Sequence, residues 1–249
     1  MQDNALDNKV ALITGGARRI GAEVARTLHQ QGMRLIIHHR SSDEEAHALQ
    51  DVLNAQRPRS VMLIKGDLLD IHKITHLAKE AVKAFSRLDV IVNNASSFYP
   101  TPVGEVTEKK WDDLIGTNLK APFFLAQAAA SELKKNHGAI VNIVDIYGQQ
   151  PLKKHAVYSA AKAGLIMLTK ALAKDLAPEV RVNAVAPGAI LWPEHDNDEV
   201  AQQRLISRTP LKRMGTPTEI AHAVLFLIRD ATFVSGHIMP VDGGRSVAF

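Results

Sequence analysis

Short runs rich in valine and isoleucine alternate with longer amphipathic stretches along most of this chain, and that alternation most constrains the fold. Six such runs occupy residues 10–13, 35–37, 61–64, 90–92, 140–144 and 182–185. Runs of this kind are typical of strands buried on both faces. Between them apolar residues recur at helical spacing, as at Ile20, Val24 and Leu28. With a last strand near 237–241, the pattern predicts an α/β fold in which a doubly wound, seven-stranded parallel sheet carries helices on both faces.

The composition excludes several classes of protein. The 249 residues include no cysteine, so a disulfide framework, a thiolate metal site and a cysteine nucleophile are all ruled out. The formal net charge is +4, but the basic residues occur in pairs rather than in a stripe, so we expect no nucleic-acid surface. The start resembles no signal peptide and no apolar run is long enough to cross a bilayer. We therefore expect one domain spanning residues 1–249 in the cytoplasm, with no membrane contact.

A glycine-containing turn follows the first predicted strand and opens a helix. Gly15, Arg19, Ile20 and Gly21 belong to this turn. Glycines here allow a tight turn and let backbone N–H groups approach a pyrophosphate at a helix N-terminus. The strand–turn–helix context therefore predicts nucleotide binding, and Arg19 adds a fixed positive charge beside the phosphates.

The end of the second strand indicates which dinucleotide binds. An NAD-selective protein usually places an acidic residue there, but the chain reads His38, His39, Arg40, Ser41 and has no carboxylate before Asp43. Arg40 can pair with a 2′-phosphate and Ser41 can donate to it, which favours NADPH. Adjacent strand residues face opposite ways, so the two histidines do not predict a metal site, and we expect no metal.

Tyr158 and Lys162 are the candidate proton-transfer pair. Their spacing of four places them on one face of a helix. A free phenol has a pKa near 10, and a neighbouring ammonium is expected to lower it toward a useful range. Other polar or turn residues follow strands four and six, at the edge of the sheet where doubly wound folds bind ligands; they are Asn94, Ala95, Pro187 and Gly188.

Taken together, these motifs resemble the short-chain dehydrogenases/reductases over nearly the whole chain. Gly15 and Gly21 match the outer glycines of the family's turn, and Arg19 replaces its middle glycine. The resemblance implies a Rossmann fold, a catalytic set that includes Asn118, and an adenine contact at Asp67, which is also read as a helix cap. The cofactor residues it implies are Gly15, Arg19, Ile20, Gly21, His39, Arg40, Ser41, Asp67, Leu68, Asn94, Ala95, Tyr158, Lys162, Pro187 and Gly188.

One departure from the family bears on the substrate. The family has a serine 13 residues before its tyrosine, and this chain has Asp145. A carboxylate would repel the negative charge that develops on a ketone oxygen. It suits a substrate that offers N–H donors or is protonated at nitrogen, which favours a C=N bond in a nitrogen heterocycle. The alternative is an inactive relative, or one that uses Ser159 instead.

A narrower resemblance is to the pteridine reductases. It rests on the segment 93–102, on Arg19, on His39-Arg40-Ser41 and on Asp145, while segment 190–196 looks more like bacterial relatives such as dihydromonapterin reductases. The resemblance implies that Phe98 stacks a pterin against the nicotinamide and that Ser96 bonds the pterin or a cofactor phosphate. The substrate contacts it implies are Arg19, Ser96, Phe98, Asp145 and Tyr158.

The same resemblance implies a mechanism. NADPH supplies hydride to a C=N carbon of a dihydropterin, such as dihydrobiopterin or dihydromonapterin, or of dihydrofolate or an oxidised pterin. Tyr158 protonates the ring nitrogen, and Lys162 lowers the pKa of Tyr158 and holds the nicotinamide ribose. Asp145 orients Tyr158, and Asn118 helps hold a relay water. Two alternatives stay open: a 3-oxoacyl or ketone reductase on the same scaffold, and a non-catalytic NADPH-binding regulator.

Two further expectations concern the surroundings of the site. Residues 189–209 have no clear pattern at first and then a weak helical one, which predicts a substrate lid with Trp192 as a candidate aromatic. The family resemblance also implies a homotetramer. Its interfaces would be the small-residue face of the helix at 158–176 and the apolar C-terminal strand.

Overall fold

A computed structural model describes residues 6–190 and 199–248, and in that part of the chain the strands form one parallel sheet. Their spatial order is β3-β2-β1-β4-β5-β6-β7, which confirms the predicted seven-stranded doubly wound fold. The strands are β1 (Val10–Ile13), β2 (Arg34–His39), β3 (Val61–Lys65), β4 (Val90–Asn93), β5 (Ala139–Ile143), β6 (Arg181–Pro187) and β7 (Ile238–Val241).

Helices connect the strands and cover both faces of the sheet. They are α1 (Arg19–Gln30), α2 (Asp43–Gln56), α3 (Ile71–Phe85), α4 (Glu108–Ile115), α5 (Ala121–Lys135), α6 (Ala156–Asp175), α7 (Glu199–Ser207) and α8 (Pro217–Arg229). Successive residues of β1 alternate between two cores: Ala11 and Ile13 pack with α1, α2 and α8, whereas Val10 and Leu12 pack with α3, α5 and α6. This two-sided burial explains why the strands consist almost entirely of apolar residues.

The winding direction of the sheet reverses between β1 and β4. The chain runs outward from β1 to β2 and β3, and β4 then returns to the other side of β1. Loops leave the carboxyl ends of β1 and β4 in opposite directions and open a crevice, which is where ligands of doubly wound folds bind. The glycine turn follows β1 and Asn94 follows β4, so the topology brings both motifs to this crevice.

Helix α6 is held against the sheet by a buried chain of polar side chains. Asn93 Nδ2 donates to Asn142 Oδ1 at 2.8 Å, and Asn142 Nδ2 donates to Thr169 Oγ1 at 2.9 Å. The Thr169 hydroxyl in turn donates to the carbonyl of Leu165 at 2.8 Å. Because buried polar groups are costly when unpaired, this series of hydrogen bonds fixes one position of α6 relative to β4 and β5.

By length and composition alone, α6 also passes a test for a membrane-spanning helix, and among the described residues it is the one helix that does so. Half of the tested window is buried inside the protein, as expected for a core helix that packs on a sheet. Of the predicted lid, Ala189, Ile190 and the helix α7 are described, whereas residues 191–198, with Trp192, lie outside the described residues.

Candidate active site

A cavity of about 920 Å³ lies at the carboxyl edge of the sheet. This volume is at the upper end of the range for small-molecule sites. Every predicted site residue except Asn118 lines it: Gly15, Arg19, Ile20, Gly21, His39, Arg40, Ser41, Asp67, Leu68, Asn94, Ala95, Ser96, Phe98, Asp145, Tyr158, Lys162, Pro187 and Gly188.

The glycine turn has the geometry of a phosphate cradle. Gly15 has a φ of 59°, and a Cβ there would lie 3.0 Å from the Cα of Ala95. Asn94 holds the turn by donating through Nδ2 to the carbonyls of Thr14 and Gly15, at 3.0 and 2.9 Å. No side chain caps the start of α1, and the residues of its first turn line the cavity. These residues therefore fit a dinucleotide pyrophosphate placed at the helix N-terminus.

Arg19 adopts a backbone conformation that normally favours glycine. Its φ is 51°, in the left-handed region, and its side chain is exposed at the edge of the cavity. This explains why the family pattern has glycine at this position: a side chain there costs about 1–2 kcal/mol in backbone strain.

We expect Arg19→Gly to weaken cofactor binding without weakening the fold. Losing a charge-assisted hydrogen bond should raise KM for NADPH about tenfold or more. The fold should keep its stability, because relief of the strained φ offsets the larger conformational entropy that glycine gives the unfolded chain. The control is Arg19→Ala, which loses the charge but keeps the strain. Both variants should show the same rise in KM, and the thermal midpoint of the alanine variant should be lower. A midpoint lower for glycine than for alanine would contradict the strain argument.

His38 is a positioning residue that the sequence analysis did not identify. The N–H of Gly15 donates to His38 Nδ1 at 3.3 Å, and Nε2 donates to the carbonyl of Gly66 at 3.2 Å. Burial lowers the pKa of His38 to about 4, so the ring is neutral at pH 7 and can accept the Gly15 bond. The ring thereby connects the glycine turn to the end of β3. Its position at the end of β2, beside β1, was the only signal available in the sequence.

The corner predicted to bind the 2′-phosphate carries an unsatisfied polar atom. His39 Nδ1 is buried and has no hydrogen-bond partner, and the residue lines the cavity beside Arg40 and Ser41. The Arg40 side chain is 56% exposed, and one of its nitrogens lies 3.9 Å from Asp113 Oδ1. A buried polar atom is expensive without a partner, so this corner is incompletely satisfied, and the contact of His39, Arg40 and Ser41 with a 2′-phosphate stays a prediction.

Asp67 lines the cavity, but it does not cap the next helix. Its Oδ1 accepts from the backbone N–H of Leu69 at 3.1 Å. The cap of α3 is Asp70, whose Oδ1 accepts from the N–H of His72 at 2.9 Å. The capping interpretation of Asp67 is therefore wrong, because α3 begins at Ile71, too far along the chain for Asp67 to reach its first turn. The adenine contact stays a prediction.

Asp145 and Tyr158 are in direct contact. Tyr158 Oη donates to Asp145 Oδ2 at 2.7 Å, and Asp145 Oδ1 accepts from the backbone N–H of Tyr147 at 2.8 Å. Lys162 Nζ donates to the carbonyl of Ile143 at 2.9 Å and lies 5.7 Å from the centre of the Tyr158 ring. All three titratable groups thus lie at one end of the cavity.

Burial dominates the electrostatics of this triad. It raises the pKa of Asp145 above that of a free carboxyl, and it lowers the pKa of Lys162 to about 8. Burial and then the Asp145 charge raise the pKa of Tyr158 well above 10. Our expectation that Lys162 lowers the pKa of Tyr158 is wrong for this arrangement, because the carboxylate contacts the phenol oxygen and the ammonium does not. Tyr158 is therefore a neutral acid at pH 7.

Asn118 supports the site from behind the cavity wall. It lies in a wide π-helical turn, Gly116–Lys120, and is buried. Ser96 Oγ donates to its Oδ1 at 2.7 Å, and its Nδ2 donates to the carbonyls of Ser97 and Leu114 at 2.9 and 3.0 Å. The side chain therefore anchors the loop after β4, and its role with a relay water stays a prediction.

Phe98 projects from that loop toward Tyr158. Its ring meets the Tyr158 ring edge-on, with centres 4.8 Å apart and planes at 78°, and 53% of the residue is exposed. An exposed aromatic face beside the proton donor is suited to stacking on a flat ligand. Within residues 6–190 and 199–248, no group of three or more histidine and acidic side chains is placed to hold a metal ion.

Comparison with known proteins gives relatives that differ in substrate. The profile of a family described as Enoyl-(Acyl carrier protein) reductase matches residues 15–246. The 3-oxoacyl-(acyl-carrier-protein) reductase FabG of Staphylococcus aureus is 37% identical over an alignment of 241 positions that covers 95% of this chain and 97% of that protein. Pteridine reductase 1 of Leishmania tarentolae is 33% identical over an alignment of 279 positions that covers 96% of this chain and 96% of that protein.

These relatives do not single out pteridine reductases, since the identity to the staphylococcal enzyme is the higher of the two. What both share with this chain is similarity over nearly its whole length. Together with the glycine turn at the switch point of the sheet and the Tyr158–Lys162 pair at its carboxyl edge, they show that the chain belongs to the short-chain dehydrogenase/reductase superfamily of nicotinamide-dependent oxidoreductases.

Proposed function

We propose that this protein is an NADPH-dependent pteridine reductase that reduces a C=N bond of a dihydropterin. The observation that carries the proposal is the contact of Asp145 with Tyr158, at 2.7 Å, where the superfamily has a serine. A serine hydroxyl donates to a carbonyl oxygen, whereas an Asp145 oxygen can accept from N–H groups in either protonation state and, while ionised, repels the charge that develops on a ketone oxygen. The N–H groups of a pterin can donate to Asp145, and a ring nitrogen can take up a proton.

The raised pKa of Asp145 also supports proton transfer at this site. A carboxyl whose pKa is raised by burial holds its proton closer to neutral pH than a free one does. While Asp145 is ionised it draws the Tyr158 proton toward itself. Once Asp145 is protonated, the Tyr158 hydroxyl is free to donate into the cavity. Asp145 therefore controls the direction in which Tyr158 gives up its proton.

The residues that would hold the cofactor form a continuous wall. The first turn of α1 and Arg19 would bind the pyrophosphate, His39, Arg40 and Ser41 the 2′-phosphate, and Lys162 the nicotinamide ribose. The bound cofactor supplies the hydride. Lys162 keeps most of its charge at pH 7, since its pKa is about 8, and that charge is available to a ribose hydroxyl of the cofactor.

Reversing the charge at Arg40 tests the choice of NADPH. We expect Arg40→Glu to raise KM for NADPH about 10- to 100-fold, because a charge-assisted bond to the phosphate is replaced by repulsion. KM for NADH, which lacks that phosphate, should change little. The matched control is Arg26→Glu, an equal charge reversal on the exposed surface of α1. An unchanged KM for NADPH in Arg40→Glu would remove this residue from the role.

A second candidate function is reduction of a 3-oxoacyl thioester. It is favoured by the 37% identity to the 3-oxoacyl-(acyl-carrier-protein) reductase of Staphylococcus aureus. A panel of dihydrobiopterin, dihydromonapterin, dihydrofolate and acetoacetyl thioester, followed by NADPH absorbance, separates the two functions. Turnover of the thioester alone would replace the pterin proposal. Tight NADPH binding without turnover of any substrate would favour a regulator instead.

We further propose that the enzyme is a cytoplasmic homotetramer. Apolar side chains are exposed on helices that could meet a second copy, including Phe123 on α5 and Met167 on α6, and Phe233 is exposed near the C-terminal strand. Ala160 and Ala163 also lie exposed along α6, where they would allow close helix packing. Light scattering on the purified protein should give four times the mass of the chain.

A further inference from the structure

The Phe98 ring contacts a second aromatic ring besides Tyr158, and this ring has no part in the proposed chemistry. The imidazole of His155 stacks on the Phe98 ring, with centres 4.8 Å apart and planes at 14°. Both residues line the cavity, and the Phe98 and Tyr158 rings meet in a T-shaped arrangement. The Phe98 ring is therefore held between the candidate proton donor and an imidazole.

The backbone fixes the His155 ring. Its Nδ1 lies 3.0 Å from the carbonyl of Lys153, and since a carbonyl only accepts, Nδ1 carries the hydrogen. The loop that carries Phe98 is joined to the same segment, because the N–H of Thr101 donates to the carbonyl of Lys154 at 2.6 Å and Thr101 pairs with His155 in a parallel bridge. His155 directly precedes α6, so the plane of its ring is set relative to Tyr158.

We propose that His155 is a positioning residue that sets the orientation of Phe98 for a planar heterocyclic substrate. The inference rests on the proposed function, since it concerns how the pterin would be held. Stacked aromatic pairs keep a preferred geometry, so the imidazole orders the Phe98 ring before the ligand arrives and reduces the entropy that binding costs. A substrate without a flat ring would gain nothing from this order.

The test compares an aromatic with a non-aromatic side chain at this position. His155→Leu should raise KM for dihydrobiopterin, and the calorimetric Kd of dihydrobiopterin for the NADP⁺ complex, by about 3- to 10-fold. The values of kcat and of Kd for NADP⁺ should stay within about twofold of wild type. His155→Phe, which restores a stacking ring, should return both pterin constants to near wild type. His76→Ala, on the exposed surface of α3, serves as a control for histidine removal.

Three results would overturn the proposal. The first is a leucine variant with wild-type pterin constants. The second is a phenylalanine variant as impaired as the leucine variant, which would assign the effect to the bond with Lys153. The third is an equal loss with acetoacetyl thioester, which has no flat ring. If the wild-type protein neither binds nor reduces any pterin, the proposed function itself fails. If the wild-type protein reduces a pterin and the leucine variant does so equally well, only the role of His155 is refuted.

Discussion

Replacing Asp145 with serine is expected to exchange one substrate class for the other. Activity on dihydrobiopterin should fall about 10²- to 10³-fold in kcat, because the variant loses both a preorganised acceptor and a titratable proton. Activity on acetoacetyl thioester should appear or rise, because a hydroxyl now donates to the ketone oxygen. Removing the carboxylate also removes a charge that raises the pKa of Tyr158, so the phenol should become more acidic. Steady-state NADPH oxidation with each substrate measures the change.

Asp145→Asn is the matched control for that experiment. Asparagine keeps the shape and can still accept from Tyr158, but it carries no titratable proton. With wild type, kcat/KM for the pterin should be highest at low pH and should fall as pH rises through the raised pKa of Asp145, since the protonated carboxyl is the active form. The asparagine variant should show no such fall in kcat/KM as pH rises. A serine variant that reduces pterin at near wild-type kcat would end the argument for a heterocyclic substrate.

Tyr158→Phe is expected to lower kcat about 10³-fold with every substrate, because it removes the hydroxyl of the proposed proton donor. KM for NADPH should change by no more than about threefold, since the ring and its contact with Phe98 are kept. The loss should be the same whether the substrate is a pterin or a ketone. That outcome differs from the one for Asp145→Ser, in which activity on the pterin should fall while activity on the ketone should appear or rise.

The residual activity of the phenylalanine variant has a predictable pH dependence. Tyr158 donates a hydrogen bond that lowers the pKa of Asp145 and partly opposes the effect of burial. Losing this donor should raise the Asp145 pKa further, so the decline in kcat/KM moves to higher pH. A decline at the wild-type pH would show that Asp145 does not titrate in this step, and a kcat near wild type would remove Tyr158 from proton transfer.

The fold could be predicted largely from local patterns, and the site only in part. The strand at 10–13 was predicted with its final bounds, because a strand buried on both faces must be apolar at every position. The pairing of Tyr158 with Lys162 follows from helix periodicity alone. His38 and His155 could not be found this way, because their partners, Gly15 and Phe98, are far along the chain and are brought near only by the sheet order and the loops.

What the sequence by itself determined is the alternation of strands and helices, the glycine turn, and the identity of the groups available for proton transfer. Each of these depends on residues within a few positions of one another. Only the tertiary structure decided which of these groups touch and how acidic they are. Asp145 and Tyr158 meet because β5 ends and α6 begins at the same edge of the sheet, and burial there raises both pKa values. A pKa depends on solvent exclusion and on charges from distant segments, and no local pattern contains that information.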